Sequence, residues 1–433
     1  MSESAFVRSE MLPEQSAPPT SVGAIGWLRQ NLFSGPINTL MTLVSLAFVW
    51  WLMTGVLQWA VQGTWFANSL NECREIIALA HGEGHHGACW GVIRERFNQL
   101  MFGFYPQELY WRPILSFLLL LVALAPVLFT EAPRKMLWFT AIYPFIGIWL
   151  LWGGSIWMPI SIAAGLGLGF VAFRILTGAL GALAGVIAAF AVPILWWLLL
   201  AGSVAEGLNA IIPLGIESVE SRNFGGFMLS ITIGVVAIGA SLPLGIILAL
   251  GRQSNLFIVK ALCVGFIEFI RGVPLITLLF VASTLLNIFM PPGTNFDIVM
   301  RVIIMVTLFA SAYMAEVIRG GLAALPRGQY EAADALGLDY WKAQRLIIMP
   351  QALKISIPGI VSTFIGVFKD TTLVSIIGLL DPLGLSNAIR ADTAWNGIVW
   401  ELYGFIAAVF FVFCFFMSRY SMYLERKLAT DHR

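Results

Sequence analysis

The chain has 433 residues, 59% of them hydrophobic and 11% charged, with a formal net charge of +1 and a mean hydropathy of +0.84. Soluble domains carry about a quarter charged residues, so this composition excludes a water-soluble globular protein, and the near-neutral balance argues against a nucleic-acid partner. Apolar runs near the ~20 residues that cross a bilayer predict spanning helices, and the strand alternation of a membrane barrel is absent.

In chain order, residues 1–38 read as a polar tail rich in Ser, Pro and Glu. The first apolar run opens only near residue 39, so no cleavable signal sequence is expected. "WLRQNLF", Trp27 to Phe33, reads as a linker, with a helix lying on the membrane as the alternative. About ten spans follow, roughly 39–61, 113–130, 136–155, 159–176, 179–202, 226–250, 262–289, 298–318, 353–377 and 398–420.

Short loops rich in Lys and Arg stay in the cytoplasm. Arg134, Lys135, Arg174, Arg252, Lys260, Arg319, Arg327, Lys342, Arg345 and Lys354 fall on one side if both termini are cytoplasmic. The long loop 62–112 would then be periplasmic, although Arg74, Arg94, Arg96 and Arg112 run against the trend there. Cys73 and Cys89 share that loop and can bond if it faces an oxidising compartment; otherwise they stay free thiols. "HGEGHH", His81 to His86, offers three His and a Glu, but its glycines leave the loop too loose for a metal site, and none is expected.

The chain divides near residue 225. Residues 39–224 form an accessory region with few charges and small-residue rows, Gly165-x-Gly167-x-Gly169 and Gly181-x-x-x-Gly185, that let helices approach closely. Residues 225–433 carry charges at span ends and inside spans, where each costs ~2.5–3.5 kcal/mol. Glu316 and Arg319, at i, i+3, are expected to pair. Glu268 and Arg271 precede Gly272-Val273-Pro274, where the proline should break the ladder.

The loop 319–352 is unusual. Arg327 to Leu336 predicts a short helix after Pro326, with Tyr330, Ala333 and Leu336 on one face and Glu331 and Asp334 outward. Gly337 should stop it in a left-handed turn, and Asp339 should cap a second helix from Tyr340 to about Met349. Trp341 and Leu346 are expected to point back to the bundle, and Pro350 to end or kink that helix. A short rigid helix between two spans is suited to receiving a push.

Here a resemblance appears. Glu331-Ala332-Ala333, Gly337 and Ile347-x-Met349-Pro350 match the EAA loop of ABC importer permeases, EAA–x3–G–x9–I–x–LP, with Met349 in place of Leu. "FIRGVPLI" (Phe269 to Ile276), "AYMAEVIRGGLAALPRGQYEAA" (Ala312 to Ala333) and "FKDTTLVSIIG" (Phe368 to Gly378) resemble segments of the polar amino acid group. The extra spans and the cysteine-bearing loop resemble the M-type permease subunit of the bacterial general L-amino acid importer.

The resemblance implies an all-α inner-membrane protein of about ten helices whose last five form a type I importer permease core. It implies coupling to a cytoplasmic ABC ATPase dimer through Glu331, Ala332, Ala333, Gly337 and Pro350. It also implies a homologous second permease, giving a heterodimer, and a periplasmic amino-acid-binding protein. The chain contains no Gly-x4-Gly-Lys-Ser/Thr phosphate loop, so ATP and Mg²⁺ are expected on the partner, and no catalytic residue or cofactor on this chain. Lys369, Asp370 and Thr371, with Glu268 and Arg271, are candidates for the substrate path or gate. The alternative is an ion-gradient-driven transporter, in which Asp370 would be the midplane acid.

Overall fold

The computed structural model describes residues 23–129, 131–285, 288 and 297–428; residues 1–22 of the expected tail lie outside them. By contacts the chain forms two compact units, residues 1–91 and 92–433.

In the first unit, the stretch expected as a linker lies largely in a helix, α1 (Gly23–Asn31), ended by the Asn31 amide bonding to the Trp27 carbonyl. Its exposed Ile25, Trp27 and Leu28 suit a helix resting on an apolar surface. α2 (Pro36–Val61) is apolar all round and buries none of its residues within the chain, as befits a helix whose solvent is lipid. α3 (Leu70–His81) starts at Ser69, whose hydroxyl accepts from the Glu72 amide while Glu72 accepts from the Asn68 amide. Cys73 and Cys89 form a disulfide with Cα atoms 5.9 Å apart. Trp90 stacks on Trp65 and donates to the Ala60 carbonyl, closing the loop over the end of α2.

The second unit opens with α4 (Gly91–Phe102), then the hairpin α5 (Trp111–Leu128) and α6 (Leu137–Trp152). α7 (Trp157–Leu180) and α8 (Ala182–Leu199) pack closely; a Cβ on Gly165 or Gly169 would lie 2.4 Å from Trp197 or Pro193. α8 bends 55° into α9 (Ala201–Ile211), and β1 (Gly154–Ser155) pairs antiparallel with β2 (Gly215–Ile216).

The remaining helices are α10 (Gly226–Arg252), α11 (Phe257–Gly272), α12 (Leu275–Phe280), α13 (Ile298–Ala323), α14 (Arg327–Ala335), α15 (Tyr340–Ala343), α16 (Met349–Asp370), α17 (Pro382–Ala391) and α18 (Trp400–Leu428). Pro274 breaks the ladder as expected, and the chain turns 102° between α11 and the helix after it. Among the described residues, eight helices are long and apolar enough to cross a membrane, or ten with each bent pair as one span. Leu229, Ile233, Val302 and Val306 centre the α10–α13 core. Lipid offers no hydrophobic drive between helices, so close approach decides the packing. Gly321 shows it: a Cβ there would lie 2.1 Å from the Ser356 hydroxyl on α16.

Candidate functional site

The charged hairpin is built as its residues predict at the corner and differs after it. α14 follows Pro326, and Gly337 takes a left-handed φ of +67° that a Cβ would oppose. The Asp339 carboxylate accepts from the Lys342 amide at 2.9 Å and meets its ammonium at 3.0 Å. These contacts, the amide first, hold the Asp339 carboxyl below the usual range. Pro350 does not end the second helix. A wide π turn, Gln344–Ile348, carries α15 directly into α16 with Pro350 in its first turn. The looser ladder absorbs the amide that proline lacks.

Ala333 and Ile348 are buried, and Tyr330, Ile347 and Met349 pack on the cluster formed by Met314, Ile318 and Leu322. The Gln351 amide joins Gln329 at 2.9 Å, tying α16 to α14. Trp341 and Leu346, expected to face the bundle, do not: they are 70% and 63% exposed. Leu336, also expected on the inner face, is 72% exposed. The i, i+3 count placed Leu336 with Ala333, but the helix ends before that turn can dock. Leu336, Tyr340, Trp341 and Leu346 are therefore all exposed, as are the acids Glu331 and Asp334, and the Tyr340 and Trp341 rings meet edge to face.

Above the hairpin, Glu316 of α13 gathers three arginines. Arg252 of α10 reaches it at 2.5 Å, Arg319 at 3.0 Å and Arg271 of α11 at 3.5 Å; Arg252 also meets Glu268 at 3.0 Å. The expected Glu316–Arg319 pair is present, but as one edge of a cluster that ties three helices together. Arg271 also lies over the Tyr313 ring, 5.7 Å from its centroid. Glu316 is the least exposed member, so the arginines screen one another's repulsion through it.

Lys369 and Asp370 end α16, about 30 Å along it from Met349 at 1.5 Å per residue. Lys369 is exposed and Asp370 half-buried. Thr371 is buried and its hydroxyl donates to the Phe368 carbonyl at 2.8 Å. The five candidate path residues therefore separate into two groups: Glu268 and Arg271 belong to the arginine cluster, and Lys369, Asp370 and Thr371 lie at the far end of α16.

Residues 241–430 match the family of binding-protein-dependent transport system inner membrane components. The glutamate/glutamine/aspartate/asparagine transport system permease protein BztC of Rhodobacter capsulatus is 60% identical over 434 residues, covering 100% of both chains. The chain belongs to the amino-acid ABC transporter permeases. The inner membrane amino-acid ABC transporter permease protein YhdY of Escherichia coli is 40% identical over 96% of each chain. A crystallised amino acid ABC transporter studied with histidines is 31% identical over 46% of this chain and 91% of its own, with a TM-score of 0.42.

The permease is thus a multi-pass inner-membrane subunit of an ATP-driven importer, and the ion-gradient alternative is set aside. Two of its functional-looking residues escaped the sequence reading. Arg252 carried no local sign of its two acidic partners, which lie 16 and 64 residues away. Asp381 did carry a sign, since it directly precedes Pro382 as a cap precedes a first-turn proline. It is fully buried and accepts from the Leu383 and Gly384 amides at 3.0 Å each. Burial pushes its carboxyl up to about 6 despite those bonds.

Proposed function

We propose that this permease receives the motion of a cytoplasmic ATPase dimer through α14, with Glu331, Ala332 and Gly337 at the contact and Ala333 and Pro350 transmitting it to the spans. The observation that carries this reading is that α14 exposes Glu331 and Asp334 while its Tyr330 and Ala333 side is packed, and that the turns following it expose Leu336, Tyr340, Trp341 and Leu346. Large apolar side chains left exposed among charges suit a protein partner, and the packed side suits transmission of force. ATP and Mg²⁺ act on that partner.

Both termini are cytoplasmic in this reading, and loop 62–112 is periplasmic. The Lys and Arg distribution supports it, as does the Cys73–Cys89 disulfide, since such bonds persist in oxidising compartments. The importer is completed by a homologous second permease, as a heterodimer, and by a periplasmic amino-acid-binding protein. Its substrates are acidic amino acids and their amides, the set named for the Rhodobacter capsulatus relative. Lys369 and Asp370 lie on the substrate path, with Thr371 shaping its helix end, and Glu268 and Arg271 form a gate.

The test is affinity purification of the chain from native membranes, with mass spectrometry of its companions. An ATPase should accompany the wild type and be lost from Glu331→Lys and from Gly337→Asp, with uptake abolished and the permease still in the membrane. Retention of the ATPase by both variants would remove α14 from the contact.

A further inference from the structure

Among the described residues, a cavity of about 590 Å³ lies between the accessory helices α5 and α6 and the core helices α10, α13 and α18. Its walls are apolar, with Ile231 and Val235 of α10 facing Leu120 and Ile148, and Ile303 and Phe413 completing them. The hydroxyls along it are already engaged. Tyr143 donates to the Ser116 carbonyl at 3.0 Å and lies 3.2 Å from the Ser116 hydroxyl, and Thr232 donates to the Met228 carbonyl at 2.7 Å. A buried water needs two to four polar partners, and the polar side chains of this lining, Ser116, Tyr143, Trp152, Thr232 and Asp297, are few among apolar ones and each is already bonded within the protein. Protein interiors leave few voids larger than a water molecule, and this space is within the ~300–1,000 Å³ range of ligand pockets.

The depth of the cavity identifies the occupant. On α10 the lining runs from Phe227 to Val236, and on α6 from Trp152 back to Tyr143. Each is nine steps of 1.5 Å, about 13.5 Å, close to half of the ~30 Å hydrocarbon core. Both walls start at the same membrane surface, as do the α5 and α13 linings, which begin at Pro113 and Asp297. Trp111 and Trp152 mark that surface, where indole rings prefer to lie. The rim is open sideways: Ile114, Leu118 and Val236 are 48%, 53% and 41% exposed. An apolar slot one leaflet deep, entered from the membrane, fits an acyl chain.

We propose that this cavity is a binding site for one phospholipid acyl chain of the leaflet that meets the start of α10. The lipid fills the wedge between accessory and core helices, and so forms part of their packing. The proposal stands independently of the ATPase contact.

The test uses the purified importer reconstituted in phosphatidylethanolamine–phosphatidylglycerol liposomes, re-extracted in detergent and weighed by native mass spectrometry. A phospholipid should stay with the wild type and with Ile247→Phe, a control on the exposed face of α10 away from the cavity. It should be lost from Val235→Phe and, separately, from Ile148→Phe on the opposite wall. A phosphatidylethanolamine with a diazirine near its acyl terminus should cross-link to the α10 segment 231–236 or to Phe413. No phospholipid on the wild type, its retention by both filling variants, or a protein segment cross-linked in its place would overturn the proposal.

Discussion

Glu316 holds an arginine from each of α10, α11 and its own helix, so its loss leaves three cations with only Glu268, which meets Arg252, among them. A buried pair broken on one side loses ~3–5 kcal/mol. Partial exposure of the arginines reduces that, and Glu316→Ala should lose on the order of 3 kcal/mol of stability in detergent. Arg319→Ala, which removes an exposed partner, should lose under about 1 kcal/mol. Equal losses would mean that solvent, not Glu316, keeps the arginines apart. Asp381 makes a pH-dependent contribution. Its folded carboxyl titrates at about 6, against an ordinary 3.8, so between those values the folded state holds the proton more tightly. Stability from this group is therefore present below pH 3.8 and is lost as pH rises through 6. In Asp381→Asn the melting temperature should depend less on pH across pH 4–6 than in wild type, with one cap bond weakened throughout. An unchanged profile would show that Asp381 does not hold its proton in that window.

The hairpin from α14 to α16 shows what an element's own residues determine. Gly337 and Asp339 announced the corner and the cap, because both act on neighbours within three residues. The π turn at Gln344–Ile348 was not legible, since it depends on how Ile348 and Gln344 are buried against the core. The outward Trp341 was missed for the same reason: an apolar residue beside a span is expected inside until the packing leaves it without a place. Trp341→Ser should leave stability within about 0.5 kcal/mol, as surface changes do, while weakening ATPase co-purification and slowing uptake together. Normal uptake in that variant would take Trp341 out of the contact.

For the whole molecule, the first unit depends on a crosslink that the larger one lacks. Closing a loop of about 15 residues contributes roughly 3 kcal/mol, so Cys73→Ser should loosen loop 62–91. Trypsin should then cut at the exposed Arg74 faster than in wild type, and an unchanged cutting rate would mean that the Trp90 contacts alone hold the loop. Composition and run length determined by themselves that this is a membrane protein of about ten helices, because lipid admits only helices and closed barrels and the strand alternation of a barrel is absent. Local signals determined the breaks at Pro274 and Gly337. The tertiary structure alone decided that Arg252 joins Glu316, that Glu268 and Arg271 part from Lys369 and Asp370, and that a lipid-sized cavity lies beside α10. Each of these joins residues far apart in the chain, and where helices approach in lipid is decided by side-chain shape, which no one-dimensional pattern records.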